Sequence, residues 1–158
     1  MCEVLPETYT FRDEIIGIKA RADTVEIAFE AVVESFHAIE SQRFLADGPG
    51  WEALSPNTEI RKSNGRWGSK MMVRTGDLFA SLANGAEGYE TIMTNISVTM
   101  ETNIPYAGYH QSGTDRMPAR ELVKVDEKTA ALWGGIIGEY IFGGVIHSGS
   151  YSEVQAVL

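Results

Sequence analysis

The chain has 158 residues, with 44% hydrophobic and 22% charged side chains, which is enough to bury a core and is ordinary for a globular protein of one domain. A net charge of −9 argues against tight, salt-sensitive capture of nucleic acid, which needs clustered Lys and Arg. The single cysteine, Cys2, leaves no partner for an intramolecular disulfide and fits a reducing cytoplasm.

The opening Met-Cys-Glu-Val-Leu-Pro-Glu lacks the basic start and apolar core of a signal peptide. Residues Thr8 to Lys19 are rich in Tyr, Thr, Phe and Ile and read as an extended segment, with Gly17 at a bulge or turn. Asp23-Thr24 offers a helix N-cap. Beyond it Val25, Ala28, Phe29, Val32, Val33, Phe36 and Ile39 recur at steps of three and four. That spacing lines one face of a helix running to about Leu45, which Asp47-Gly48-Pro49-Gly50 stops.

Residues 48–70 read as an extended loop, broken by a short helix over Pro56 to Lys62 with Ser55 as cap and Pro56 in the first turn. Thr75 is a candidate cap for a further short helix holding Leu78, Phe79 and Leu82, which Asn84-Gly85 ends. Thr91 to Thr102 alternates as a strand. Ile92, Thr94, Ile96, Val98 and Met100 fall on one side; Met93, Asn95, Ser97, Thr99 and Glu101 fall on the other. Pro105 to Gly113 reads as a turn into a strand, and Arg120 to Val125 as another strand. Asp126 caps a last helix from Glu127 to about Ile141. Its glycines, Gly134, Gly135, Gly138 and then Gly143-Gly144, weaken it and suggest close approach by another backbone, that of a neighbouring copy included. The stretch from Leu132 to Ile146 is too short to span a bilayer, and Glu139 and five glycines interrupt it. Residues 147–158 form a tail expected to order only on assembly. The pattern predicts an α+β fold over residues 1–158: a single domain with a central antiparallel sheet, a long N-terminal helix and a C-terminal helix.

None of the side-chain constellations makes an active site. His37, His110 and His147 stand at no metal-ligand spacing, so no metal and no cofactor is expected. His110-Gln111-Ser112-Gly113 pairs a His with a Ser, yet the nearest approach to a nucleophile elbow, Ile146-His-Ser148-Gly149-Ser150, lacks the first Gly and a following helix. The acids Glu87, Glu90, Asp115, Glu121, Asp126 and Glu127 read as a solvated face rather than as a pair sharing an apolar pocket. Arg61, Lys62, Arg66, Trp67, Lys70 and Arg74 form the one basic, aromatic stretch. Such a loop can grip a nucleic-acid backbone or dock on an acidic patch of a partner or neighbouring copy. In so acidic a chain the second use is favoured.

The remaining pattern is an ordered set. It runs Gln42-Arg43-Phe44, Gly50-Trp51-Glu-Ala-Leu54, Thr58, Lys62, Thr75-Gly76-Asp-Leu78, Ser81, Tyr106-Ala107, His110-Gln111, Gly113 and Pro118-Ala119-Arg120. Over residues 22 to 125 this set resembles the tailed-bacteriophage virion morphogenesis family of tail-completion and neck proteins. The resemblance implies a structural virion protein with no catalytic step, made in the bacterial host cytoplasm and placed at the head–tail junction. It implies a ring, hexameric by that resemblance, with head-connector and tail-tube proteins as partners. DNA would pass through the channel without sequence-specific binding, and no membrane would be involved. Residues expected at subunit or partner contacts are Arg61, Lys62, Arg66, Trp67, Lys70, Arg74, Tyr106, His110, Gln111 and Arg120. Trp51, Leu54, Gly76, Leu78, Gly113 and Pro118 are expected to shape the subunit, with Trp51 and Leu54 folding the loop onto the core and Arg120 able to hold a carboxylate bidentately. Three other readings are a head-side connector component, a small soluble hydrolase using His110, and a DNA-binding accessory factor using the Arg61 to Arg74 loop.

Overall fold

A computed structural model describes residues 11–48, 50–65, 68 and 70–146. Arg66, Trp67 and the 147–158 tail lie outside the described residues. The chain order is α1 (Phe11–Ala22), α2 (Glu26–Leu45), α3 (Pro56–Ser63), α4 (Asp77–Asn84), β1 (Tyr89–Thr94), β2 (Ser97–Thr102), α5 (Ala107–Ser112) and α6 (Glu127–Gly143). Helices and an antiparallel pair of strands make the fold α+β, as the pattern predicts. The axis of the fold is α2, which packs against α4, α6 and both strands.

The apolar spacing of α2 does what it predicts. Ala28, Phe29, Val32, Phe36, Ile39 and Phe44 are buried. Phe36 and Phe44 join Val73, Leu78, Leu82, Ala107 and Leu122 in the main core. Ala31 and Val32 pack on Ile136 of α6, where the Trp133 indole donates to the Ser35 hydroxyl at 2.8 Å. The helix begins later than the Asp23 cap predicts, with Val25 at the cap position and no side-chain cap bond. Asp23 instead accepts from Lys19 at 2.6 Å. The Val25 amide donates to the Asn95 carbonyl at 3.0 Å, tying the tip of the β-hairpin to the start of α2.

Several expected elements differ. The described part of the Thr8 to Lys19 segment is helical, not extended. Its β-branched residues favour a strand, but acids in the first turn (Asp13, Glu14) and bases in the last (Lys19, Arg21) suit the helix dipole. Arg21 further donates to the Ile141 carbonyl at 2.7 Å, satisfying an end of α6. The Thr91 to Thr102 strand is a hairpin, with Tyr89 opposite Thr102 and Thr94 opposite Ser97. The turn at Asn95-Ile96 reverses the alternation: Val98 and Met100 face inward as expected, but in β1 the inward set is Tyr89, Thr91 and Met93. Ile92 and Ile96 are exposed.

The expected strands at Pro105–Gly113 and Arg120–Val125 are also absent. The first holds α5, and the second is an irregular segment. Side chains take the place of a strand ladder there. Gln111 Oε1 accepts from the Leu122 and Val123 amides at 2.7 and 3.1 Å, and its Nε2 donates to the Val123 carbonyl at 3.0 Å. Arg43 donates to the Leu122 and Lys124 carbonyls at 2.9 and 3.1 Å. Trp51 donates to the Glu121 carbonyl at 3.0 Å. With its backbone groups satisfied in this way, the segment needs no neighbouring strand.

Near their predicted positions are α3, α4 and α6. Gly76 at φ 102, rather than Thr75, occupies the cap position of α4, and the Thr75 hydroxyl donates to Asp77 at 2.6 Å. Gly85 ends that helix in the left-handed region. Asp126 caps α6 by accepting from the Thr129 amide at 2.8 Å, and this N-cap bond draws its carboxyl below the usual range. No described residue of the same chain makes a close approach to Gly134, Gly135, Gly138 or Gly143: a Cβ on any of them would meet nothing within 4 Å. No described helix is long and apolar enough to cross a membrane.

Candidate interface cleft

The loops around α3, the start of α4, α5 and the 113–120 turn enclose one open cleft of about 900 Å³. Much of the ordered set recognised in the sequence converges on it. Leu54, Thr58, Lys62, Thr75, Gly76, Leu78, Tyr106, His110, Pro118 and Arg120 all line it, although they come from four separate stretches of chain.

The convergence has identifiable causes. Trp51 turns the loop back onto the core, its ring edge-on to Phe44 at a centroid distance of 5.7 Å, and a Cβ on Gly48 would collide with that ring. Arg120 is buried, and its Nε and Nη2 donate to the Glu52 carbonyl at 3.2 and 3.0 Å. That contact joins two cleft walls, with a backbone carbonyl in place of the carboxylate expected from sequence. Gly113 lies at φ 73, and a Cβ there would sit 2.7 Å from the Ala119 nitrogen. Only glycine therefore lets the 113–120 turn close, which it does through a Thr114–Met117 bridge. The Arg120 amide then donates to the His110 carbonyl at 2.8 Å, pinning the turn to α5.

Among the expected contact residues, Lys62, Arg74, Tyr106, His110 and Arg120 come together in the cleft. Arg61 is exposed on α3. Lys70 donates to the Leu45 carbonyl at 2.6 Å and lies 3.5 Å from Asp47. Gln111 is committed to the 122–123 backbone. Lys62 also turns inward, to the Lys70 carbonyl. Burial pulls its ammonium below the usual lysine range, Asp47 partly offsets this, and Arg120 adds to it. The basic stretch is thus divided: its two described lysines brace the loop, while Arg74 remains exposed at the cleft.

Arg116, Met117, Glu52 and Asp77 line the cleft as well, and the sequence did not single them out as contact residues. Arg116 lies between Gly113 and Pro118, so its place inside the recognised set was the available signal. The lining holds four cations (Lys62, Arg74, Arg116, Arg120) and two carboxylates (Glu52, Asp77). The cleft is therefore basic on an acidic protein. Among the described residues, neither Arg74 nor Arg116 has a side-chain hydrogen bond or ion pair.

His110 is half-buried, and its Nδ1 has no hydrogen-bond partner among the described residues. Burial lowers its pKa, and Arg120 lowers it further, so the ring is neutral near pH 7. Its ring stands edge-on to Tyr106 at 6.0 Å. A general base needs a hydrogen-bonded nucleophile and a group that orients its second nitrogen, and His110 has neither among the described residues. Those residues also contain no group of three or more His, Cys, Asp or Glu side chains able to hold a metal ion. What the geometry supplies is an open basic cleft in which the Arg74 and Arg116 guanidinium groups stand beside Leu54, Met117, Pro118 and Tyr106.

No curated protein matches the chain. No solved structure matches it either. The model of the phage virion morphogenesis family matches residues 18–141. That span contains α2 to α5, nearly all of α6 and every wall of the cleft. The chain belongs to the phage virion morphogenesis family, a structural and assembly family.

Proposed function

We propose that this chain is a neck or tail-completion (tail-terminator) protein. Copies of it form a ring that joins the tail to the head connector and lets DNA pass. The observation that carries this reading is the convergence of the ordered set from the sequence on one basic cleft with no catalytic arrangement among the described residues, in a chain that the family model matches over residues 18–141. A structural subunit needs such a surface to recognise a partner. The partners are further copies of the chain, six by family resemblance, with head-connector and tail-tube proteins on either side. A net charge of −9 per subunit gives a ring of copies a negative potential. DNA is then repelled from the wall and slides through without binding to it. The protein works in the virion, at the head–tail junction, and catalyses nothing.

Imaging infected cells that lack the chain tests this. Filled heads and separate tails that fail to join are expected, with the labelled protein restored to the neck on complementation. Joined, infectious particles in its absence would overturn the reading. A label that stays on heads when tails are missing would favour a head-side connector component instead.

A further inference from the structure

The outer face of the hairpin carries a feature that the isolated subunit does not explain. Glu90 lies directly across from Glu101, and both are exposed. Like charges opposite one another weaken a strand pair, and among the described residues no cation lies within ion-pair distance of either. On the same face Ile92 is 49% exposed, and at the tip Ile96 is 76% exposed. Acids and isoleucines on one two-stranded surface match, in sign and in character, the free Arg74 and Arg116 and the apolar Leu54, Met117 and Pro118 of the cleft.

Within one chain none of these four charges pairs with another. The hairpin tip is tied to Val25 at the start of α2, while the loop forming the cleft wall leaves from the far end of that helix, where Phe44 packs on Trp51. Twenty residues of helix put the tip, with Ile96, about 30 Å from that wall, while the Glu90–Glu101 pair lies at the base of the hairpin, next to Thr102, which bonds Ser81 of α4.

We infer that the outer face of the hairpin of one copy docks into the basic cleft of the next, with Glu90 and Glu101 against Arg74 and Arg116. The inference rests on the self-assembly in the proposed function and names its two surfaces. Because the surfaces differ, the contact is head-to-tail, and it generates a ring when the rotation closes. Charge pairing sets the register, and the isoleucines fill the apolar part of the cleft.

Charge reversal in the full chain tests it, with sedimentation velocity for self-association and circular dichroism for folding. All four charged residues are exposed, so every variant is expected to fold. Glu90→Arg with Glu101→Arg, and separately Arg74→Glu with Arg116→Glu, should each weaken self-association by about 100-fold. Mixing the two double variants, or combining all four changes, should restore it to within about tenfold. Variants that assemble like the wild-type chain would overturn the pairing while leaving the proposed ring intact. Loss on both sides without rescue would show that the surfaces meet something other than each other, and would also overturn it. So would salt-sensitive retention of DNA that disappears in the Arg74→Glu, Arg116→Glu protein while self-association is unchanged. A wild-type chain that stays monomeric at all concentrations would remove the self-assembly reading together with this one.

Discussion

Arg43 and Arg74 carry the same guanidinium, and the protein uses them in opposite ways. Arg43 is buried and fully engaged: it meets Glu40 at 2.6 Å and the Leu122 and Lys124 carbonyls. Arg74 stands exposed at the mouth of the cleft with no partner among the described residues. The same contrast separates the seam under residues 120–125, where Arg43, Gln111 and Trp51 replace a strand ladder, from the rim made by Arg74, Tyr106 and Arg116. Two neighbours in the recognised set can therefore differ in kind. Gln111 is internal scaffold, while His110 beside it lines the cleft. Membership in a family pattern does not by itself leave a side chain free; its hydrogen-bond partners decide.

The comparison is sharpest at Arg43. Arg43→Ala strands the Glu40 carboxyl in the core and should cost about 3–5 kcal/mol of unfolding free energy in urea titrations. A loss below about 1 kcal/mol would mean that the seam does not hold the segment. Next in size is a pH effect. Burial raises the Glu40 pKa from its usual value to about 7, and Arg43 opposes the rise only in part. Glu40 Oε2 has no hydrogen-bond partner among the described residues, which lets desolvation outweigh the guanidinium. An acid whose folded pKa is raised contributes stability that is fully present below its unfolded pKa and is lost as pH rises through the folded one. The chain should lose about 3 kcal/mol between pH 4 and pH 8 from this group. Glu40→Gln, which keeps the acceptor for Arg43, should flatten that dependence. An unchanged pH profile in the variant would place the titration elsewhere.

Gln111→Leu leaves the Leu122 and Val123 amides without their acceptor and should cost about 2–3 kcal/mol. The same denaturation measurement, with hydrogen exchange at those two amides, checks it. Smallest of all, Arg74→Ala with Arg116→Ala should change stability by no more than about 0.5 kcal/mol. A large loss there would erase the distinction between seam and rim.

Where local chemistry is decisive, sequence and structure agree. The spacing of Phe29, Val32, Phe36 and Ile39 defines α2, Pro56 starts α3, Asn84-Gly85 stops α4, and Asp126 caps α6. The failures share a cause. The 11–19 segment has strand-like composition, but the charges at its two ends and the contact with the end of α6 favour a helix. Residues 105–113 and 120–125 also read as strands. The side chains that satisfy the second of these segments come from positions as distant as Arg43 and Trp51, and periodicity carries no record of them.

The cleft shows the same division. Its residues form an ordered set in the sequence, with Arg74, Tyr106 and His110 among the expected contacts, and all three line the cleft. Their common destination was not legible, nor was Arg116, because four separate stretches of chain meet only after Trp51 folds back and Arg120 clasps the Glu52 carbonyl. By itself the sequence determined the family pattern, the acidic charge and the helices whose signals are local. Tertiary structure alone decided which cations are spent on backbone carbonyls and which stay free. A guanidinium's availability depends on what folds within about 3 Å of it, and that is set by long-range packing rather than by neighbours in the chain.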